Sequence, residues 1–95
     1  MIDQRIREEY SELLESYIME GDERYLALTE DLARELVLAN VPLEDIGEMH
    51  EAALKGLARR YPEPISSETV CRTCAPLMEI LMVYSLAFRQ RLEER

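Results

Sequence analysis

Leu77-Met-Glu-Ile-Leu-Met-Val-Tyr-Ser-Leu-Ala-Phe88 carries one charge, Glu79, in a chain whose residues are 33% charged. Wound into a helix of 3.6 residues per turn, the segment is apolar on nearly every side. Leu77, Leu81, Tyr84 and Phe88 fall on one stripe. Ile80, Val83 and Ala87 flank it, and Met78, Met82 and Leu86 cover most of the remainder. A helix that is apolar all round has to be buried all round. A small domain readily covers one face of such a helix but hardly two. The remaining surface therefore calls for a second chain: a dimer mate, a regulatory partner, or both.

The rest of the composition fits a small helical protein. A chain of 95 residues makes one domain, spanning 1–95, with a modest core. Its hydrophobic content of 47% excludes wholesale disorder. Only three Gly and four Pro, among abundant Leu, Glu, Arg and Ala, favour an all-α fold. The formal net charge is −9, with no basic stripe, so neither nucleic acid nor an anionic membrane is an expected partner. A basic protein surface would be attracted. Met1-Ile-Asp-Gln-Arg-Ile6 is not a signal peptide, because no apolar stretch follows a basic start. The 77–88 run falls short of the roughly 20 residues a membrane span needs. A cytoplasmic location is expected, with Cys71 and Cys74 as reduced thiols.

Four helices follow from the periodicity. The first runs from about Asp3 to Glu20, with Ile2, Ile6, Tyr10, Leu13 and Tyr17 spaced three and four apart and Leu14 and Ile18 beside them. Gly21 is placed to end it in a left-handed cap, and Asp22 to start the next. The second runs from about Glu23 to Ala39 on a stripe of Tyr25, Leu28, Leu32, Leu36 and Ala39, with Ala33 and Val37 beside it; Asn40 is its stop. The third opens at Pro42, which has no N–H to leave unpaired, and presents Ile46, Met49, Ala53 and Leu57 with His50 and Leu54. Pro62-Glu-Pro64 breaks the chain before a fourth helix beginning at Ser66 or Ser67, kinked but continuous through Pro76. Short connections predict antiparallel neighbours. The amphipathic end, Phe88 to Arg95, has no cap signal and suits a helical linker to a further domain.

Little in the chain suggests catalysis. Cys71-Arg-Thr-Cys74 has the spacing of a redox pair or half a zinc site, but no second CxxC exists and His50 is the sole histidine. A structural zinc site needs about four ligands, so one or both cysteines are expected to be small core residues. His50, among Ile46, Met49 and Leu54, reads as a hydrogen-bonded core histidine. No glycine-rich loop is present to cradle phosphate. No metal, cofactor or catalytic residue is expected.

Three stretches resemble one family. They are Tyr10-x-x-Leu13-Leu14-x-x-Tyr17-Ile18; Val41-Pro42-x-Glu44-Asp45-Ile46-x-x-Met49-His50; and Met78-Glu79-x-x-Met82-x-Tyr84-x-x-Ala87-Phe88. In order and spacing they resemble the N-terminal domain of RsbU-type phosphoserine phosphatases, activators of the bacterial general stress response. The resemblance implies a four-helix domain that dimerises and binds a switch kinase of the RsbT type. That kinase would activate a C-terminal phosphatase of the PP2C class. Carried over by position, the kinase-docking surface falls on Met78 and Met82 with Ala27 beside them. Ala27 is smaller than the family pattern leads one to expect, and Pro76 is a further departure.

The expected dimer joins the faces of the first and fourth helices through Ile6, Tyr10, Leu13, Tyr17, Tyr84 and Phe88. Docking of the kinase would change the geometry of that dimer. The alternatives are a free-standing adaptor, a dimerisation module of another signalling protein such as a sensor kinase, or a small redox or metal protein using Cys71 and Cys74.

Overall fold

The computed structural model describes residues 2–63 and 66–93. Its regular structure is four helices: α1 (Gln4–Glu20), α2 (Arg24–Leu38), α3 (Leu43–Arg60) and α4 (Ser67–Glu93), with no strand among the described residues. The chain is all-α. Of the expected break, Pro62 and Glu63 lie between helices, while Pro64 falls outside the described residues, as do Glu94 and Arg95 at the expected linker.

Local chemistry sets the helix ends. The Asp3 carboxylate accepts the Arg5 N–H at 2.9 Å, and Asp22 does the same for Arg24, each satisfying a donor the helix leaves free. Gly21 adopts φ 66° and passes its N–H to the Tyr17 carbonyl at 2.7 Å. Asn40, at φ 56°, ends α2. Its N–H bonds the Val37 carbonyl, and the Val41 N–H bonds that of Leu36. This is the paired arrangement of a Schellman cap; the buried side chains of Val41 and Leu36 close it. Pro42 sits one position before α3 rather than in its first turn. Glu44 and Asp45 open that helix and Arg59 and Arg60 close it, in the order its dipole favours.

Helix α1 is the centre of the bundle and packs against α2, α3 and α4, while the broadest helix pair is α2 with α4. Side-chain pairs give the directions. Arg5 meets Glu35, so α1 and α2 are antiparallel. Arg7 meets Glu48 and Arg60 meets Glu15, so α1 and α3 run parallel. Arg72 donates to the Ile18 carbonyl at 3.0 Å, which places the start of α4 at the end of α1. Tyr84 donates to the Val41 carbonyl at 2.8 Å, anchoring the second half of α4 at the α2–α3 corner. The short links thus make α1 and α2 antiparallel partners, but α2 and α3 are not among the main packing pairs.

Ile2, Ile6, Tyr10 and Leu14 meet Leu32, Ala33 and Leu36, then Val41, Ile46, Met49, Ala53 and Leu57, with Ile80 from α4. The expected α3 face is buried at Ile46, Met49, His50, Ala53 and Leu57, with Leu54 partly buried beside it. The α2 face is rotated from the expected stripe: Leu28 and Ala39 are exposed and Thr29 is buried instead. Thr29 escapes the cost of an unpaired hydroxyl by donating to the Tyr25 carbonyl at 2.7 Å.

Helix α4 continues through Pro76, which together with Ile80 is buried. Pro76 has no N–H for the Arg72 carbonyl one turn back. At 27 residues the helix is roughly 40 Å long, and it dominates a molecule with extents of 50 × 24 × 18 Å. By length and composition alone α4 is long and apolar enough to cross a membrane. The expectation that it is too short counted only the 77–88 run.

Candidate interaction surface

Full burial of the fourth helix is not what one chain achieves. Pro76 and Ile80 are enclosed, and Leu77, Val83 and Tyr84 are partly buried against the core. The opposite side stands open. Cys71, Met78, Ser85 and Leu92 are exposed at seven-residue intervals, and Cys74, Leu81 and Phe88 are exposed on a second line at the same interval. Together the two lines alternate by three and four residues. That is a heptad spacing, the one at which helices can coil about each other. The sequence contains this register, but apolar residues on the bundle-facing side hide it until the structure removes them from consideration.

Beside this seam lies a groove of about 610 Å³ between α4 and the α2–α3 corner, lined by Val37, Val41, Leu43, Leu81, Tyr84 and Phe88. It is more apolar than polar and belongs to the same face as Phe88. Sequence reasoning missed it, because Val37 and Leu43 come into range only through the Asn40 turn. On the other flank of α4, Ala27 lines a shallow hollow with Glu23, Leu26, Glu30 and Glu79. Met78 and Met82, each 54% exposed, stand on the open side of α4, with Glu79 reaching toward Ala27. The three residues expected to hold a kinase are thus all open, with Ala27 set back in the hollow.

Two residues expected at a dimer interface are in the wrong place for it. Tyr10 is 0% exposed and Ile6 is buried, both inside the single-chain core. They sit where α1 is enclosed by its neighbours and have no surface to give a second chain. Leu13 is partly buried, packed on the core, and Tyr17 is half-buried. Tyr84 is half-buried and bonded to Val41. Phe88, 63% exposed, is free for an intermolecular contact.

Tyr10 and His50 form a buried polar pair, Oη to Nδ1 at 2.6 Å, with ring centroids 5.9 Å apart. Burial pushes the Tyr10 phenol above its ordinary range, with a smaller push from the Cys74 sulfur. Burial pushes the His50 imidazole down. Both directions suit a neutral pair in which the phenol donates to Nδ1 of the tautomer protonated at Nε2. The two groups satisfy each other, as expected of a core histidine. Cys71 and Cys74 do not follow expectation: both are free thiols and exposed. Among the described residues, no group of three or more His, Cys, Asp or Glu is arranged to hold a metal ion.

The fold is a small helical bundle with one long helix open along its outer side. A family model described as "Phosphoserine phosphatase RsbU, N-terminal domain" matches residues 8–87, and the chain belongs to that family. It is a regulatory domain, not itself catalytic. No curated protein and no solved structure matches the chain at a significant level.

Proposed function

We propose that this domain is the cytoplasmic regulatory unit of a stress-signalling phosphatase, that it dimerises, and that it docks a switch kinase of the RsbT type. The observation that carries this reading is the open apolar side of α4 in a member of this family. An exposed run of this kind marks an interaction site. The kinase is assigned to the flank with Met82 and Ala27, and Met78 stands at its edge. Methionine suits such a surface because its unbranched, polarisable side chain adapts to a partner. The dimer is assigned to the Leu81–Phe88 side, continuous with the groove at Val37 and Leu43.

The mechanism is a relay. Docking on one flank biases how two α4 helices meet on the other. The C-terminal end of α4 passes that change to a PP2C-type phosphatase domain that follows in the full polypeptide. Such coupling requires only that the kinase bind one dimer geometry better than another. Protein is favoured over lipid as the cover for α4, because a heptad register specifies a helix partner and lipid has no use for one. Withdrawing α4 into a bilayer would also strip Ile80 from the core and break the Tyr84–Val41 bond.

The test is to mix the domain with the RsbT-type kinase of the same genome and measure mass by size exclusion with light scattering. A dimer that gains kinase is the expected result. Met82→Asp should abolish that gain with helicity intact, since Met82 is exposed in the single chain. A dimer that ignores the kinase would remove the proposed partner. It would then favour the free-standing adaptor or another signalling protein.

A further inference from the structure

We propose that Cys71 and Cys74 form a thiol modification site at which two copies of this chain become covalently joined, side by side, along α4. The inference rests on the dimer reading above and adds its direction and a redox control. Cys71 shares its line with Met78, Ser85 and Leu92, and Cys74 shares its line with Leu81 and Phe88, all of them exposed. When two identical heptad helices pack in parallel, each line meets its own equivalent: Cys71 faces Cys71 of the second copy, and Cys74 faces Cys74. Helix axes 8–10 Å apart, each with Cα atoms on a radius near 2.3 Å, leave roughly 3.4–5.4 Å between squarely facing Cα atoms. The upper part of that range falls within the roughly 4.4–6.8 Å that a disulfide spans. An antiparallel pair overlapping along the whole of α4 would set the cysteines against residues 85–89 of the second copy, away from its cysteines, and no bond could form.

Both sulfurs are free, as a reversible site requires. The oxidant is a hydroperoxide. One thiolate attacks its O–O bond, forming S–O as O–O breaks, and the departing oxygen takes a proton to leave as water or an alcohol. The sulfenic acid then condenses with the facing thiol of the second copy, forming S–S and releasing water. Two thiols are oxidised and one peroxide reduced. In a reducing compartment such a bond is transient and suits sensing rather than architecture. Its consequence is mechanical: it holds the N-terminal halves of the two α4 helices together, upstream of the flank assigned to the kinase.

The experiment treats the whole chain with hydrogen peroxide and reads non-reducing gels and intact mass, beside light scattering in dithiothreitol. The expected product is a covalent dimer reversed by dithiothreitol. It should persist in Cys71→Ser and in Cys74→Ser, because like meets like, and vanish in the double variant. A dimer in dithiothreitol that yields no covalent product overturns the lock and the parallel register while leaving the dimer standing. So does a monomer lighter by two hydrogens, the mark of a Cys71–Cys74 bond within one chain. A monomer in dithiothreitol with no covalent product overturns both readings at once.

Discussion

Gly21 sits at φ 66°, and a Cβ placed on it would lie 2.9 Å from Nη2 of Arg72. The left-handed backbone is what favours glycine here; the Arg72 guanidinium that caps the last turn of α1 would only have to shift to admit a Cβ. Gly21→Ala should destabilise the fold by about 1–2 kcal/mol from the left-handed backbone alone, read as a lowered Tm with the helical spectrum unchanged. His50 gives a pH prediction. Its folded pKa lies below the usual 6.5, so the fold prefers the neutral ring. Its contribution is intact above pH 6.5 and is lost as the pH falls from 6.5 toward the folded value. Denaturant unfolding of the wild type and His50→Gln between pH 7.5 and 5 should show the wild type losing stability relative to the variant. Equal losses would mean that the ring does not titrate on unfolding.

Helix α4 is two helices in one, by face. Its inner side, at Pro76 and Ile80, belongs to the bundle; its outer side, at Met78, Leu81, Met82 and Phe88, is exposed. Phe88→Glu tests the division, because Phe88 is 63% exposed and touches the groove at Leu43 rather than the core. The variant should keep its helicity and lose self-association, seen as monomer mass by light scattering. Ile80→Glu should instead unfold the domain, since it would bury an unpaired charge where Ile80 is 0% exposed. If both variants unfolded, the outer side would be core as well and the assignment of a partner surface would fail.

At the scale of the whole molecule the governing quantity is the net charge of −9. Two such chains repel, and an apolar seam has to overcome that repulsion. Raising salt shortens the Debye length from about 30 Å at 0.01 M to about 8 Å at 0.15 M. Self-association should therefore tighten with salt. Docking of a partner through a basic surface should weaken over the same range. Sedimentation of the domain alone and with its kinase separates the two, and parallel trends would mean that charge does not distinguish the two surfaces. The many exposed Arg–Glu pairs on α1 and α2, such as Arg5–Glu9 at 2.9 Å and Arg34–Glu30 at 2.6 Å, contribute little to either effect.

The helix count, the Gly21 and Asn40 stops and the α3 face were legible in the sequence, because they rest on local rules: dihedral preference, capping chemistry and the 3.6-residue period. The family was legible by resemblance, through the order and spacing of three motifs of which Val41-Pro42-x-Glu44-Asp45-Ile46 is one. The choice of which apolar stripe faces inward was not legible where more than one exists. Tyr10 and Phe88 both recur at helical spacing, yet one is enclosed by three helices and the other stands in solvent. Thr29 displaced Leu28 from the core, and the two cysteines turned outward rather than in. Those outcomes depend on how α1, α2 and α4 are oriented about one another. Only tertiary packing fixes that orientation, because periodicity defines the faces of a helix but not which neighbour will cover them.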